Sequence, residues 1–155
     1  MPDAATHSLR VAPLTLRRIT ARAVVLPLER PIVARIATIR DWPVVLVDLE
    51  TEEGVVGRSY LEPYVTRAMR YLVPALHDLS DALAGRRVAP AELFDAARRS
   101  LHFVGYQGMS MIVASALDMA AWDALARAAG LPLCVLLGGS VGSVRSYNSN
   151  GLWLH

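Results

Sequence analysis

Apolar and polar residues change period along this chain, and each change marks an element. Ile19, Ala21, Ala23 and Val25 alternate with Arg18, Thr20 and Arg22, the period-two pattern of a strand with one buried face. In this reading Pro27 bounds that strand. Val45, Val47 and Leu49 alternate with Leu46, Asp48 and Glu50, and Glu52-Glu53-Gly54 is a turn leading into a third strand over Val55–Tyr60. The three predict a short antiparallel meander.

From about Pro63 the spacing becomes helical. Met69, Leu72, Val73 and Leu76 share a face, and Pro74 either kinks this helix or lies near its first turn. A second helix starts at Pro90, which suits position N1, and buries Leu93, Phe94, Ala97 and Leu101. The third, over 108–129, is apolar nearly all round, whereas a surface helix confines its apolar residues to a stripe of about 100°. Such a helix requires cover on every side. Gly130 suits a C′ position and Pro132 prevents continuation, so Leu133–Leu137 forms a separate segment ending at Gly138–Gly139. Strands followed by helices predict an α+β domain, a three-stranded antiparallel meander with a helical bundle packed on one side of the sheet.

Composition adds a partner to this picture. The chain is 54% hydrophobic with mean hydropathy +0.34, more apolar surface than a self-contained domain of this size needs. A membrane span does not account for it, because Asp118 and Asp123 would each cost about 2.5–3.5 kcal/mol at mid-bilayer. The first thirty residues lack an apolar h-region, so cytoplasmic residence is expected. All sixteen basic residues are arginine and the net charge is only +2; without a basic stripe, nucleic acid is not an expected partner. The lone Cys134 lies in an apolar run and reads as a small core residue.

Candidate chemistry within the chain is sparse. Asp118 and Asp123 are five residues apart and read as pointing to different sides of a helix. Asp118 would tie it to a neighbour, while Asp123 pairs with Arg127 at i,i+4. His7, His77, His102 and His155 have no orienting carboxylate nearby in sequence, and no nucleophile elbow or phosphate loop occurs. No residue is therefore assigned to catalysis or to a metal.

Motifs carry the reading further. DMAAWDAL at 118–125 followed by PLCVLLGG at 132–139, the stretch Pro31–Pro43, GVVGRSYLEPY at 54–64 and Tyr147-Asn148-Ser149 together resemble the N-terminal part of the mandelate racemase branch of the enolase superfamily. The resemblance spans roughly residues 10–155. It implies a leader over 1–10, a capping domain over 11–139, and over 140–155 the first strand of a catalytic barrel otherwise absent. It further implies a parent enzyme that uses Mg²⁺ to abstract the proton α to a carboxylate, leading to racemisation of a 2-hydroxy acid or dehydration of an acid sugar. In that family the metal carboxylates, a lysine base and a histidine base lie in the barrel, so this chain alone is expected to bind no metal and to be inactive.

By the same resemblance Pro31–Pro43 is a mobile loop covering the active site, with Ile32, Ile36 and Ile39 lining the distal end of the pocket. Tyr64 would face the site and Ser149 would donate to the substrate carboxylate. Arg35 and Arg40 depart from the small apolar residues of mandelate-type loops and admit a more polar acid. Expected partners are a small carboxylate substrate, the barrel and further copies in a homo-oligomeric parent. A stand-alone, non-catalytic α+β binding module is the alternative from another class.

Overall fold

The computed structural model describes residues 12–35 and 37–147. The leader expected over 1–10 and nearly all of the barrel strand expected after Ser146 lie outside the described residues. Strands β1 (Leu16–Ala34), β2 (Ala37–Thr51) and β3 (Val56–Leu61) form one antiparallel sheet in the order β1-β2-β3, the meander that the alternation predicts. A 3-10 turn over Thr66–Ala68 leads into α1 (Met69–Leu83), followed by α2 (Pro90–Ser100), α3 (Met109–Ala129) and the single turn α4 (Leu133–Leu136).

One face of the sheet is covered. Ile19, Ala21, Val45, Val47 and Leu49 point into a core completed by Leu72, Leu76, Leu93 and Leu117. Helix α1 lies along β1, α3 along β3, and α2 packs on α3. The approach of α3 depends on small residues from both sides: a Cβ on Gly57 would stand 2.0 Å from the Ala120 carbonyl oxygen and 2.8 Å from the Ala124 Cβ. Gly130 ends α3 in the left-handed conformation at φ 63°. The Leu131 and Gly130 N–H groups close back on the Ala126 and Arg127 carbonyls, the Schellman arrangement that needs glycine at this place.

Helix side chains also close both sheet edges, which otherwise offer unpaired backbone groups to other chains. The Ile19 N–H donates to the Ser80 hydroxyl at 2.7 Å and the Ala21 N–H to His77 Nε2 at 3.4 Å. On the far edge the Arg58 N–H donates to the Asp123 carboxylate at 2.7 Å, and the Ser59 hydroxyl donates to the Ala116 carbonyl at 2.8 Å.

Several expectations change. β1 does not stop before Pro27, and residues 31–43 are not a loop: the two strands continue as a hairpin arm in which Ile32 pairs with Ile39, Val33 with Thr38 and Ala34 with Ala37. The prolines are tolerated because the register breaks between Pro27↔Asp41 and Ile32↔Ile39, and a bulge absorbs residues that cannot donate to a ladder. Pro74 is interior to α1. Helix α3 is long and apolar enough to cross a membrane by composition, yet packs within the domain, and it is not covered all round: Met119 is exposed. Cys134 is exposed instead of in the core, because α4 buries no residue of its own.

Candidate functional site

The arm carries β1 and β2 beyond the third strand, since β3 pairs with β2 only from Val45↔Leu61 onward. Past Leu61 the chain has to reverse toward α1, and it does so at Tyr64. The Val65 N–H donates to the Pro63 carbonyl at 2.7 Å around a tyrosine held at φ 60°, a γ-turn of the rare positive-φ kind. A non-glycine residue in such a conformation costs of order 1–3 kcal/mol and persists only when its surroundings hold it. One hold is visible. The Tyr64 ring meets Trp42 edge-on, with centroids 5.8 Å apart and planes at 81°, a contact worth about 0.5–1.5 kcal/mol beyond its area.

Between the arm and this turn lies an open groove of about 370 Å³, lined by Ala37, Thr38, Ile39, Arg40 and Asp41 on β2 and by Tyr64, Val65, Thr66 and Arg67 opposite. Backbone groups contribute to it. The outward N–H groups of Ile19 and Ala21 place Leu49 and Val47, their partners in register, with N–H and C=O directed toward β3. Alternation along an antiparallel strand then turns Asp41 toward the groove, where β3 no longer pairs. The ion pairs among the described residues engage Arg18, Arg22, Arg58, Arg99 and Arg127; Arg40 and Arg67 take part in none of them.

Of the residues expected at the site, Ile39 and Tyr64 meet at this groove. Ile32 is half-buried opposite Ile39 on the hairpin and does not line it. Ile36 and Ser149 lie outside the described residues. Arg40, noted for its charge, lines the groove; Arg35 sits in the exposed hairpin turn. Trp42, Thr66 and Arg67 were not anticipated. Trp42 shares the outward register of Leu46 and Asp48, which was a usable signal, whereas Arg67 reaches the groove only because the chain reverses at Tyr64.

A second depression, of about 290 Å³, separates β3, α3 and α4 and is lined mainly by Tyr60, Met119, Trp122, Leu133 and Leu137. Asp118 and Asp123, expected on different sides of the helix, both border it: residues five apart lie only about 140° apart on a helix. Asp123 is engaged by the Arg58 N–H and by Arg127 at 2.6 Å. Asp118 makes no hydrogen bond to another element among the described residues, contrary to its expected role as a tie. Burial raises its carboxyl above the usual range, an effect the Trp122 side chain opposes. No three His, Cys, Asp or Glu side chains among the described residues converge as a metal site would require.

The sequence profile of the mandelate racemase / muconate lactonizing enzyme N-terminal domain matches residues 17–138. A D-galactonate dehydratase from Pectobacterium atrosepticum is 38% identical over 96 residues, covering 60% of this chain and 24% of that protein. Among solved structures, an enolase from an alpha proteobacterium, BAL199, with bound magnesium is 70% identical. The match covers 92% of this chain and 39% of that one, with a TM-score of 0.88. An enolase from Bradyrhizobium complexed with magnesium and mandelic acid is 40% identical over 83% of this chain and 36% of that one, with a TM-score of 0.77. The chain thus spans less than two-fifths of the length of each of these proteins.

Proposed function

This chain belongs to the mandelate racemase / muconate lactonizing enzyme family, and from that premise we propose that residues 11–139 are the capping domain of an enzyme that abstracts the proton α to a carboxylate. Racemisation of a 2-hydroxy acid and dehydration of an acid sugar share that step; the relatives include a dehydratase and a mandelate-bound protein. The observation that carries the reading is the arm: two strands extended past their sheet, facing a strained Tyr64 across an open groove. A two-stranded hairpin is only marginally stable by itself, which suits a cover that opens and closes over substrate and excludes water when shut.

The chemistry itself is assigned to the barrel begun over 140–155. This chain contains no lysine, and of its described histidines His77 is engaged with the Ala21 N–H and His102 with the Tyr106 hydroxyl at 2.6 Å. Magnesium is bound in solved relatives, but the residues described here do not form a set that fits it. Mg²⁺ is therefore assigned to the parent's barrel and no step to this chain. Tyr64, Ile39 and, outside the described residues, Ile36 and Ser149 are assigned to substrate contact, with Ile32 supporting Ile39 across the hairpin.

The test is made in the full-length enzyme carrying this domain. Replacing residues 28–39 by a short turn should lower kcat/KM toward its 2-hydroxy acid by roughly 10²-fold or more, the scale of lost positioning and water exclusion, while the domain's melting transition remains. Unchanged kcat/KM after that replacement would overturn the covering role.

A further inference from the structure

We infer that Trp42 is a positioning residue for substrate: its ring fixes Tyr64 in the positive-φ turn, so that the arm closes on a wall already in place. This rests on the reading of the arm as a cover and of Tyr64 as a substrate contact, and goes beyond it by assigning what holds that contact ready.

The turn is held at both ends and bare at its crest. Leu61 and Pro63 are buried before it and Ala68 and Met69 after it, whereas Tyr64, Val65, Thr66 and Arg67 are all exposed. Two backbone bonds span the crest: the Val65 N–H donates to the Pro63 carbonyl at 2.7 Å and the Ala68 N–H to the Val65 carbonyl at 3.0 Å. Neither fixes the Tyr64 ring. Among the described residues Trp42 is the one aromatic ring that meets it. The strain of a non-glycine residue at positive φ and the gain from one aromatic pair are of the same order. Removing the Trp42 ring therefore changes the population of the turn several-fold, without abolishing it.

Trp42 suits this role because of where the ladder breaks. The register runs without a shift from Arg18↔Glu50 to Pro27↔Asp41, and the bulge comes only after that pair. Trp42, opposite Leu26, is thus on the sheet side of the bulge, although β3 has already ended at Val45↔Leu61. Its ring is half-buried and is not among the groove's lining residues, so it reaches the groove only through Tyr64. An edge-on aromatic contact is directional and sets the orientation of the Tyr64 ring. Motion of the arm beyond the bulge leaves the pair in place, and the arm shuts against a fixed partner.

The full-length enzyme carrying this domain provides the test, with mandelate and D-galactonate as probes. Where only a fraction of the enzyme holds the competent turn, apparent affinity falls by that fraction and saturating substrate restores the turn. Trp42→Ala should therefore raise KM roughly 2–12-fold, the range to which one aromatic pair converts, with kcat within about twofold of wild type. Trp42→Phe, which keeps a ring, should restore most of the loss. In a Tyr64→Ala background, Trp42→Ala should add nothing further.

A lower kcat at unchanged KM would mark a loss of folded enzyme and overturn the inference. So would Trp42→Ala acting in full in the Tyr64→Ala background, or having no effect where Tyr64→Ala raises KM. A double-mutant cycle over positions 42 and 64 in the unfolding free energy reads the same contact without substrate, and additive effects there overturn the inference as well. If Tyr64→Ala itself changes neither constant, Tyr64 is no substrate contact and the inference fails with that assignment. The cover, tested by shortening the arm, is unaffected by that result.

Discussion

The same two strands behave differently at their two ends. Over residues 16–21 and 43–51, β1 and β2 are sealed: one face is buried under α1 and α3, and the outer edges are closed by Ser80, His77 and, through β3, Asp123. Over 27–42 the ladder continues, broken by a bulge, with no third strand, and Leu26, Val33 and Tyr64 are exposed around it. Hydrogen bonding within the pair is common to both ends; cover is not. The part of the sheet that lacks cover is therefore the part that meets the groove.

The comparison is broken most severely at the sealed end through Gly57. A Gly57→Val side chain has to displace the backbone of α3 at Ala120, and backbone yields less readily than a side-chain tip. We expect a loss of about 4–5 kcal/mol or more, the exceptional end for a single substitution, and chemical denaturation checks it. A variant within about 1 kcal/mol of wild type would mean that α3 can move off β3 freely, and the contrast between the two ends would be lost.

A matched pair sharpens the same contrast. Leu49, fully buried on β2, should cost about 2–5 kcal/mol on truncation to alanine, whereas Val33→Ala on the exposed arm should fall within about 0.5 kcal/mol. Amide exchange should follow, with residues 32–39 exchanging faster than 45–49. Equal protection would show the arm to be as stable as the sheet. Ser80→Ala is smaller: it leaves the buried Ile19 N–H without its acceptor, at about 1–3 kcal/mol, and thermal melts would detect it.

The two ends also differed in how plainly the sequence announced them. Alternation over 19–21 and 45–50 marks the sealed sheet because one face is buried, which is what forces a period of two; Ala23 and Val25, expected on the same face, are exposed because the helices do not extend over that part of β1. The arm has no buried face to enforce that pattern, and Pro27 and Pro31 read as breakers; only the bulge that absorbs them makes the strand continuous. Cys134 was misplaced for a related reason, since an apolar run signals cover without saying whether the covering residues are at hand. At the groove, Ile39 and Tyr64 were legible through resemblance. Trp42 had a signal in the outward register it shares with Leu46 and Asp48, but Arg67 had none, because its place at the groove depends on a positive φ at Tyr64 that no local pattern encodes.

The smallest effects separate closed from open surface by sign. Glu53 accepts the Thr15 N–H at 2.9 Å, fastening the start of β1 to the β2–β3 turn, and this bond holds its carboxyl below the usual range, with burial opposing. Asp118, on the uncovered side of α3, is shifted the other way by burial. A lowered folded-state value contributes stability that is present above the ordinary carboxylate range and lost as pH falls through the lowered value. A raised one is a penalty at neutral pH that is relieved as pH falls through the raised value. Glu53→Gln should therefore lose stability at pH 7 and flatten the decline toward acid. Asp118→Asn should gain slightly at pH 7, and that gain should vanish on acidification. Urea melts at steps from pH 7 to about 3 read both differences against wild type. Identical pH slopes for Asp118→Asn and wild type would mean that the carboxylate is solvated as fully in the folded domain as in the unfolded chain, and that the depression between β3, α3 and α4 exerts no desolvating effect.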